Sequence, residues 1–268
     1  TVLDSFTLAH DMAITENHWV VLDSSVGFSL PRILMALLRM GTILDAVSFS
    51  QRKARVLLIA RNGGAARTID LDRPLLSVHH ANAWEENGAV VLITCGLDDF
   101  AFGKEFGWNG PHSPLDSTPP GNGQKVFRIE VGPGGGSRVR VISDCPLDFP
   151  RVRPERDGLP TRHVWGMVTR NPSASAMFWG VGHVDLETGT STVWTPGPGQ
   201  MVGEPLVVPF GEAEDAVWIV VMLYDGQNKQ SRLAVLDGRA VDRGPVAQVH
   251  LPLLLPYGFH GCWEGASN

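Results

Sequence analysis

The sequence predicts an all-β fold, and three observations predict it. Short runs rich in valine, isoleucine, leucine and aromatic residues recur along the 268-residue chain, with turn signals roughly every eight to twelve residues. The 30 glycines and 19 prolines supply those turns. Only one stretch has the length and caps of a helix. The pattern alone leaves both a sandwich and a propeller open, and no short repeat of the common propeller types is visible.

Composition and charge narrow the class. A chain that is 43% hydrophobic and 19% charged is neither disordered nor an integral membrane span. A net charge of -6 disfavours a nucleic-acid partner, because no basic stripe offsets phosphate repulsion. Cys95, Cys145 and Cys262 are an odd number without metal spacing, so they read as free thiols in a reducing compartment. The chain starts Thr1-Val2-Leu3, with no initiator methionine and no signal pattern, and is expected to be part of something longer.

Taken in order, residues 18–23 read as a strand, and residues 28–41 as the helix. Pro31 suits its first turn and Gly41 a C-terminal stop. Arg32 and Arg39 are its only charges, and it is too short to span a bilayer. Two readings stand: a helix buried by the rest of the fold, or an interfacial helix that dips into a membrane. Residues 55–61 and 66–71 form a strand pair around Asn62-Gly63-Gly64. Residues 78–86 lead through the tight turn Asn87-Gly88 into the apolar, β-branched run 89–94, a buried strand. Regular alternation would put residues 79, 81, 83 and 85 on one face of the first strand and 80, 82, 84 and 86 on the other, so His79 and His80 diverge.

Residues 96–124 read as a long surface loop in which His112 is solvated. Residues 125–130 and 137–142 alternate in polarity around Gly132-Pro133-Gly134-Gly135-Gly136, a hairpin. No helix start follows these glycines, which excludes a phosphate cradle. Further strands are expected at 162–168, 176–181, 191–194, 216–223, 231–236 and 246–251.

Three histidine motifs punctuate this pattern. His10-Asp11 stands before Ala13-Ile14-Thr15-Glu16-Asn17; His79-His80 before Asn82-Ala83-Trp84-Glu85-Glu86; and Pro256-Tyr257-Gly258-Phe259-His260-Gly261 near the end. Together, and in this order, they resemble the motifs of the carotenoid cleavage oxygenase family, most closely its plant-type dioxygenase branch. The resemblance runs from about residue 9 to the last residues.

The resemblance implies a seven-bladed β-propeller with iron on its axis. At about four strands per blade this chain would supply about four blades, as a single domain over 1–268 that forms the C-terminal part of a propeller. The family's iron(II) is held by four histidines. By motif, His10, His79 and His260 carry over as the second, third and fourth ligands. His79 rather than His80 is chosen because the plant-type motif keeps a histidine at the first position. The remaining ligand is expected N-terminal to this chain, since His18, His112, His163, His183 and His250 do not match its motif. Imidazole suits iron, and neutral ligands leave the ion its full charge and an open position for dioxygen.

Ligating histidines donate their other ring N–H to an acceptor. In the family glutamates accept it. Gly203-Glu204-Pro205 matches one such motif and puts Glu204 behind His260. Leu147-Asp148-Phe149-Pro150-Arg151 matches another and puts Asp148 behind His79, although aspartate is one methylene shorter than the more widespread glutamate. The partner of His10 is expected outside this chain. Trp84 and Phe259, beside ligands, are candidate tunnel residues that packing would explain equally well.

The implied activity is iron(II)-dependent oxidative cleavage of a conjugated double bond in a carotenoid or apocarotenoid, with dioxygen as co-substrate and carbonyl products. Stilbene cleavage, retinyl ester isomerohydrolysis and a metal-free interaction module are the alternatives. The implied location is cytoplasmic or plastid, with peripheral membrane contact. The 268 residues alone are expected to be inactive.

Overall fold

The run Val90-Val91-Leu92-Ile93 shows why this chain folds into stacked sheets. Val90 and Leu92 are buried in one core, whereas Val91, Ile93 and Cys95 are buried in another. A strand covered on both faces needs a continuous apolar run rather than an alternating one. In a computed structural model, residues 9–41, 46–49, 52–98, 124–169 and 178–264 are described. His112 and most of the expected loop 96–124 lie outside them.

The first sheet begins with β1 (Ala13–Ile14) and β2 (His18–Asp23). A short ribbon interrupts it, β3 (Val26–Phe28) and β4 (Val47–Phe49), with α1 (Leu30–Leu37) between them. The sheet resumes with β5 (Arg55–Ala60) and β6 (Arg67–Asp70), in the order β1-β2-β5-β6. The second sheet takes β7 (Leu76–Glu86), β8 (Ala89–Leu97), β9 (Lys125–Val131) and β10 (Ser137–Ser143), in the order β10-β9-β8-β7. The third takes β11 (Leu147–Arg151), β12 (His163–Thr169), β13 (Phe178–Asp185) and β14 (Ser191–Trp194), paired consecutively. The fourth has β15 (Gln200–Val202), β16 (Leu206–Pro209), β17 (Val217–Asp225), β18 (Gln230–Asp237) and β19 (Pro245–His250). Here β15 and β16 share the edge of β17.

Four consecutive antiparallel sheets, each packed on the next, are four blades of a β-propeller. Three apolar cores lie between them. Val20, Leu22 and Leu58 of the first sheet meet Leu92 and Phe127 of the second. Ile93 and Val126 of the second meet Leu147 and Val164 of the third. Trp165 and Met167 of the third meet Ile219 and Leu236 of the fourth. The strands β1, β7 and β11 are each the first of their sheet and touch one another, β1 on β7 and β7 on β11. They form the inner wall.

Two expectations fail for identifiable reasons. First, β7 is not regular. Its pairing with β8 slips between Ser77 and His79 and again between His80 and Asn82, two bulges in which a residue is skipped. The simple alternation is therefore broken. Ala83 packs toward the first sheet, whereas His79 and Trp84 turn toward the third. Second, the helix does not stop at Gly41. Arg39 adopts the left-handed conformation at φ 59°, and the N–H groups of Arg39 and Met40 donate to the carbonyls of Ala36 and Met35. That is a Schellman stop with arginine where glycine is usual. No residue of α1 is buried, so the reading as a packing helix has no support among the described residues. No helix among them is long and apolar enough to cross a membrane.

Candidate metal centre

Local structure brings the three motif histidines to one point. His10 stands just before β1, and the bulges of β7 turn His79 toward the axis. His260 is carried by the segment after β19, which is not strand but is tied down residue by residue. The Tyr257 hydroxyl donates to the Val202 carbonyl at 3.0 Å, and the Gly258 N–H donates to the Tyr224 hydroxyl at 3.2 Å. The Leu255 N–H donates to Ser231 Oγ at 3.0 Å. Burial pushes the Tyr257 hydroxyl up to about 12, which keeps it a donor.

One ring nitrogen from each of His10, His79 and His260 lies within 4.8 Å of the other two. The ring centroids are 5.2 Å (His10 to His79), 5.5 Å (His79 to His260) and 6.0 Å (His10 to His260) apart. His79 is buried and the other two are exposed. His79 Nδ1 donates to Asp148 Oδ1 at 2.8 Å, while His79 Nε2 is buried without a hydrogen-bond partner. An orphaned buried imidazole nitrogen is costly unless something else binds it. Two further imidazoles beside it make that something a cation of the type nitrogen donors suit. The residues present therefore fit a metal ion.

The outer partners lie where the motifs place them. Asp148 is buried on β11, and its second oxygen accepts from Gln124 Nε2 at 3.0 Å. The Phe149 N–H donates to Asp148 Oδ1 at 2.8 Å, and Phe149 sits at φ 48°, rare for a bulky residue. Its ring packs 4.2 Å from His79 and 5.2 Å from His260, centroid to centroid. Gly166 lies behind this turn: a Cβ there would come within 2.7 Å of both the Asp148 carbonyl oxygen and Leu147 Cγ. Glu204 Oε1 accepts from His260 Nδ1 at 3.2 Å, and its other oxygen accepts the Gly261 N–H at 2.7 Å. Among the described residues the His10 ring has no hydrogen-bond partner.

The sequence reading overlooked several contributors. Arg151 donates to Glu204 Oε1 at 2.7 Å, so β11 supports both His79, through Asp148, and His260, through Glu204. Phe149 and Arg151 stand in the motif around Asp148 without an assigned role, and Gln124 stands in none. His80, next to His79, donates from Nδ1 to Thr94 Oγ1 at 2.7 Å, since the Thr94 hydroxyl proton goes to the His79 carbonyl. Burial, against the pull of Asp11 and with the push of His79, lowers the His80 imidazole to about 4.

Two hollows adjoin the trio. A cleft of about 440 Å³ is lined by Asp11, His80, Asn82, Arg151 and Trp263 among others. A smaller one of about 110 Å³ is more apolar, with Met222, Leu233, Phe259 and His260 in its wall. Trp84 lines neither; it is buried in the core between the second and third sheets, with the Arg128 guanidinium 5.4 Å from its ring centroid.

Comparison with known proteins identifies the family. Residues 1–265 match the retinal pigment epithelial membrane protein family. The apocarotenoid-15,15'-oxygenase of Synechocystis sp. is 29% identical over 263 residues, 96% of this chain and 52% of that protein. Carotenoid cleavage dioxygenase 7, chloroplastic, of Oryza sativa subsp. japonica is 27% identical, over 98% of this chain and 49% of that protein. A solved Synechocystis apocarotenoid oxygenase variant superposes with a TM-score of 0.82 at 27% identity, covering 97% of this chain and 54% of that one. A cobalt-substituted form of the Synechocystis enzyme gives 0.80 at 26%, with the same coverage. The chain belongs to the retinal pigment epithelial membrane protein family, the family of the carotenoid cleavage oxygenases. It spans about half the length of the curated relatives it matches.

Proposed function

We propose that these residues supply three imidazoles of the iron(II) centre of a dioxygenase that cleaves a conjugated double bond in a carotenoid or apocarotenoid. The observation that carries this reading is the buried, unpartnered Nε2 of His79, on a ring with a nitrogen within 4.8 Å of one from each of His10 and His260. The chemistry such an ion supplies when bound is the binding and activation of dioxygen, so that the alkene is oxidised to two carbonyl fragments. His79 and His260 hold their tautomers through Asp148 and Glu204. Phe259, in the wall of the apolar hollow, gives a greasy polyene a surface to lie on. The exposed Leu34 and Leu37 of α1, with Leu38 at its C-cap, give the protein a point of contact with the membrane that holds such a substrate. We place the protein in the cytoplasm or a plastid, where dioxygen and polyenes meet.

An orphaned imidazole nitrogen weighs against a metal-free interaction module. With three of the four imidazoles that the family resemblance implies, the 268 residues alone are expected to hold iron weakly and to cleave nothing. The test is iron content and product analysis of the complete protein with a panel of carotenoids and stilbenes. Dialdehyde or ketone products from a polyene that require iron support the reading. Iron-free protein with no products across the panel would overturn it.

A further inference from the structure

Among the described residues, the strand that carries His79 is the edge of its sheet, because β7 pairs only with β8. An edge strand points every second N–H away from its neighbour, and each such group needs another acceptor if it is not to be left unpaired. The bulges on either side of His79 and His80 loosen the ladder further. Side chains make up the loss. The His79 carbonyl accepts the Thr94 hydroxyl at 3.1 Å and the Ser77 hydroxyl at 3.3 Å. The His80 N–H donates to Asp11 Oδ2 at 2.8 Å, while Asp11 Oδ1 accepts the Met12 N–H at 2.7 Å.

Asp11 immediately follows His10, and His80 immediately follows His79. One carboxylate therefore ties together two segments 69 residues apart at the point where each presents an imidazole. We propose that Asp11 is a positioning residue: it locks the His10 segment onto β7, so that the His10 and His79 rings keep the separation at which one ion can meet both. Hydrogen bonding to its own segment at Met12 and to β7 at His80 makes the carboxylate a two-sided clip. Both carboxylate oxygens of Asp11 accept backbone N–H groups, so it acts through the backbone. This inference rests on the metal reading above, and the experiment separates the two.

The experiment uses Asp11→Ala and Asp11→Asn in the full chain, with cobalt(II) as probe, because its visible bands report ligand geometry. Amide hydrogen exchange at His80 is followed in the metal-free proteins. Asp11→Ala is expected to speed exchange at the His80 amide by about tenfold or more. It should weaken cobalt binding by roughly 10–100-fold, the usual cost of losing an outer support, and shift the visible bands. Asparagine keeps an acceptor oxygen, so Asp11→Asn is expected to restore exchange, affinity and spectrum to near the wild type. The outcome that overturns the proposal is an unchanged His80 amide in Asp11→Ala, or a faster amide with unchanged cobalt affinity and spectrum. Equal losses in Asp11→Asn and Asp11→Ala overturn it too, since charge rather than the hydrogen bond would then be at work. A wild-type chain that takes up no cobalt counts against the metal reading, and the amide exchange then decides the Asp11 link alone.

Discussion

Asp148 Oδ1 accepts a hydrogen bond from His79 Nδ1 at 2.8 Å, a full-strength contact despite the short side chain. The missing methylene is made up by the backbone. Phe149 turns left-handed beside it, and glycine at 166 lets β12 close to the back of β11. The more buried pair is thus Asp148 with His79, whereas His260 meets Glu204 at 3.2 Å and is half-open to solvent. The motif comparison had suggested the reverse order of strength. Asp148→Asn is expected to weaken iron retention by roughly 10–100-fold, and Glu204→Gln by less. Iron per chain after dialysis checks this; a larger loss from Glu204→Gln would show that the burial of the histidine does not set the weight of its partner.

The adjacent histidines separate cleanly. His79→Ala removes a nitrogen from the trio and is expected to abolish metal uptake and any iron-dependent cleavage. His80→Ala breaks the bond to Thr94 but leaves its backbone N–H on Asp11. Its cost is about 1–3 kcal/mol of stability with iron retained. Metal content and turnover of both purified variants are the measurements. Metal loss in His80→Ala with retention in His79→Ala would mean that the bulges turn the other ring inward.

Stability should fall in two pH windows. Burial, reinforced by the neighbouring His163, lowers the His183 imidazole to about 4, against opposing pulls from Asp185 and Asp215. Its folded value lies below the unfolded value near 6.5, so the unfolded chain takes the proton first and stability drops as pH falls from about 6.5 to 4. His80 has the same sign in the same window. For Glu85, burial would raise the carboxyl, but hydrogen bonds from Thr15, Asn17 and His18 outweigh it and hold it at about 2. Its contribution is present above the unfolded value near 4.5 and is lost as pH falls toward 2. Thermal melts of wild type and His183→Gln between pH 7 and 4 check the first window. The variant is expected to show a shallower slope, and identical slopes would remove His183 as a cause. Glu85→Gln should flatten the melt profile only below about pH 4.5.

The membrane contact is open to a direct test. Leu34 and Leu37 of α1 and Leu38 at its C-cap are 57%, 74% and 62% exposed, and no residue of the helix is buried. Replacing all three with serine is expected to reduce liposome binding and leave the melting temperature unchanged, because no core contact is lost. Unchanged sedimentation with liposomes would sink the interfacial role, and a collapse of the melting temperature would reveal packing of α1 against the rest of the complete protein.

The sequence by itself determined that the chain is all-β and where the three histidine motifs fall along it, while its pattern left a sandwich and a propeller equally open. The β-branched run Val90-Val91-Leu92-Ile93 after the Asn87-Gly88 turn reads as a buried strand, and the His10, His79 and His260 motifs are long enough to stand out without coordinates. It could not determine the face on which each residue of β7 lies, because a bulge changes the count of residues without changing their pattern. Tertiary structure alone decided that two bulges break the alternation around His79, and that Asp148 reaches its ring. It alone brought Asp11, Arg151 and Phe149 to the site. These residues act through contacts made across tens of residues of chain, and neither periodicity nor local motif records such distances. Helix α1 shows the same limit: its composition suits a buried helix and a membrane-facing one equally, and only the position of the neighbouring sheets leaves it bare.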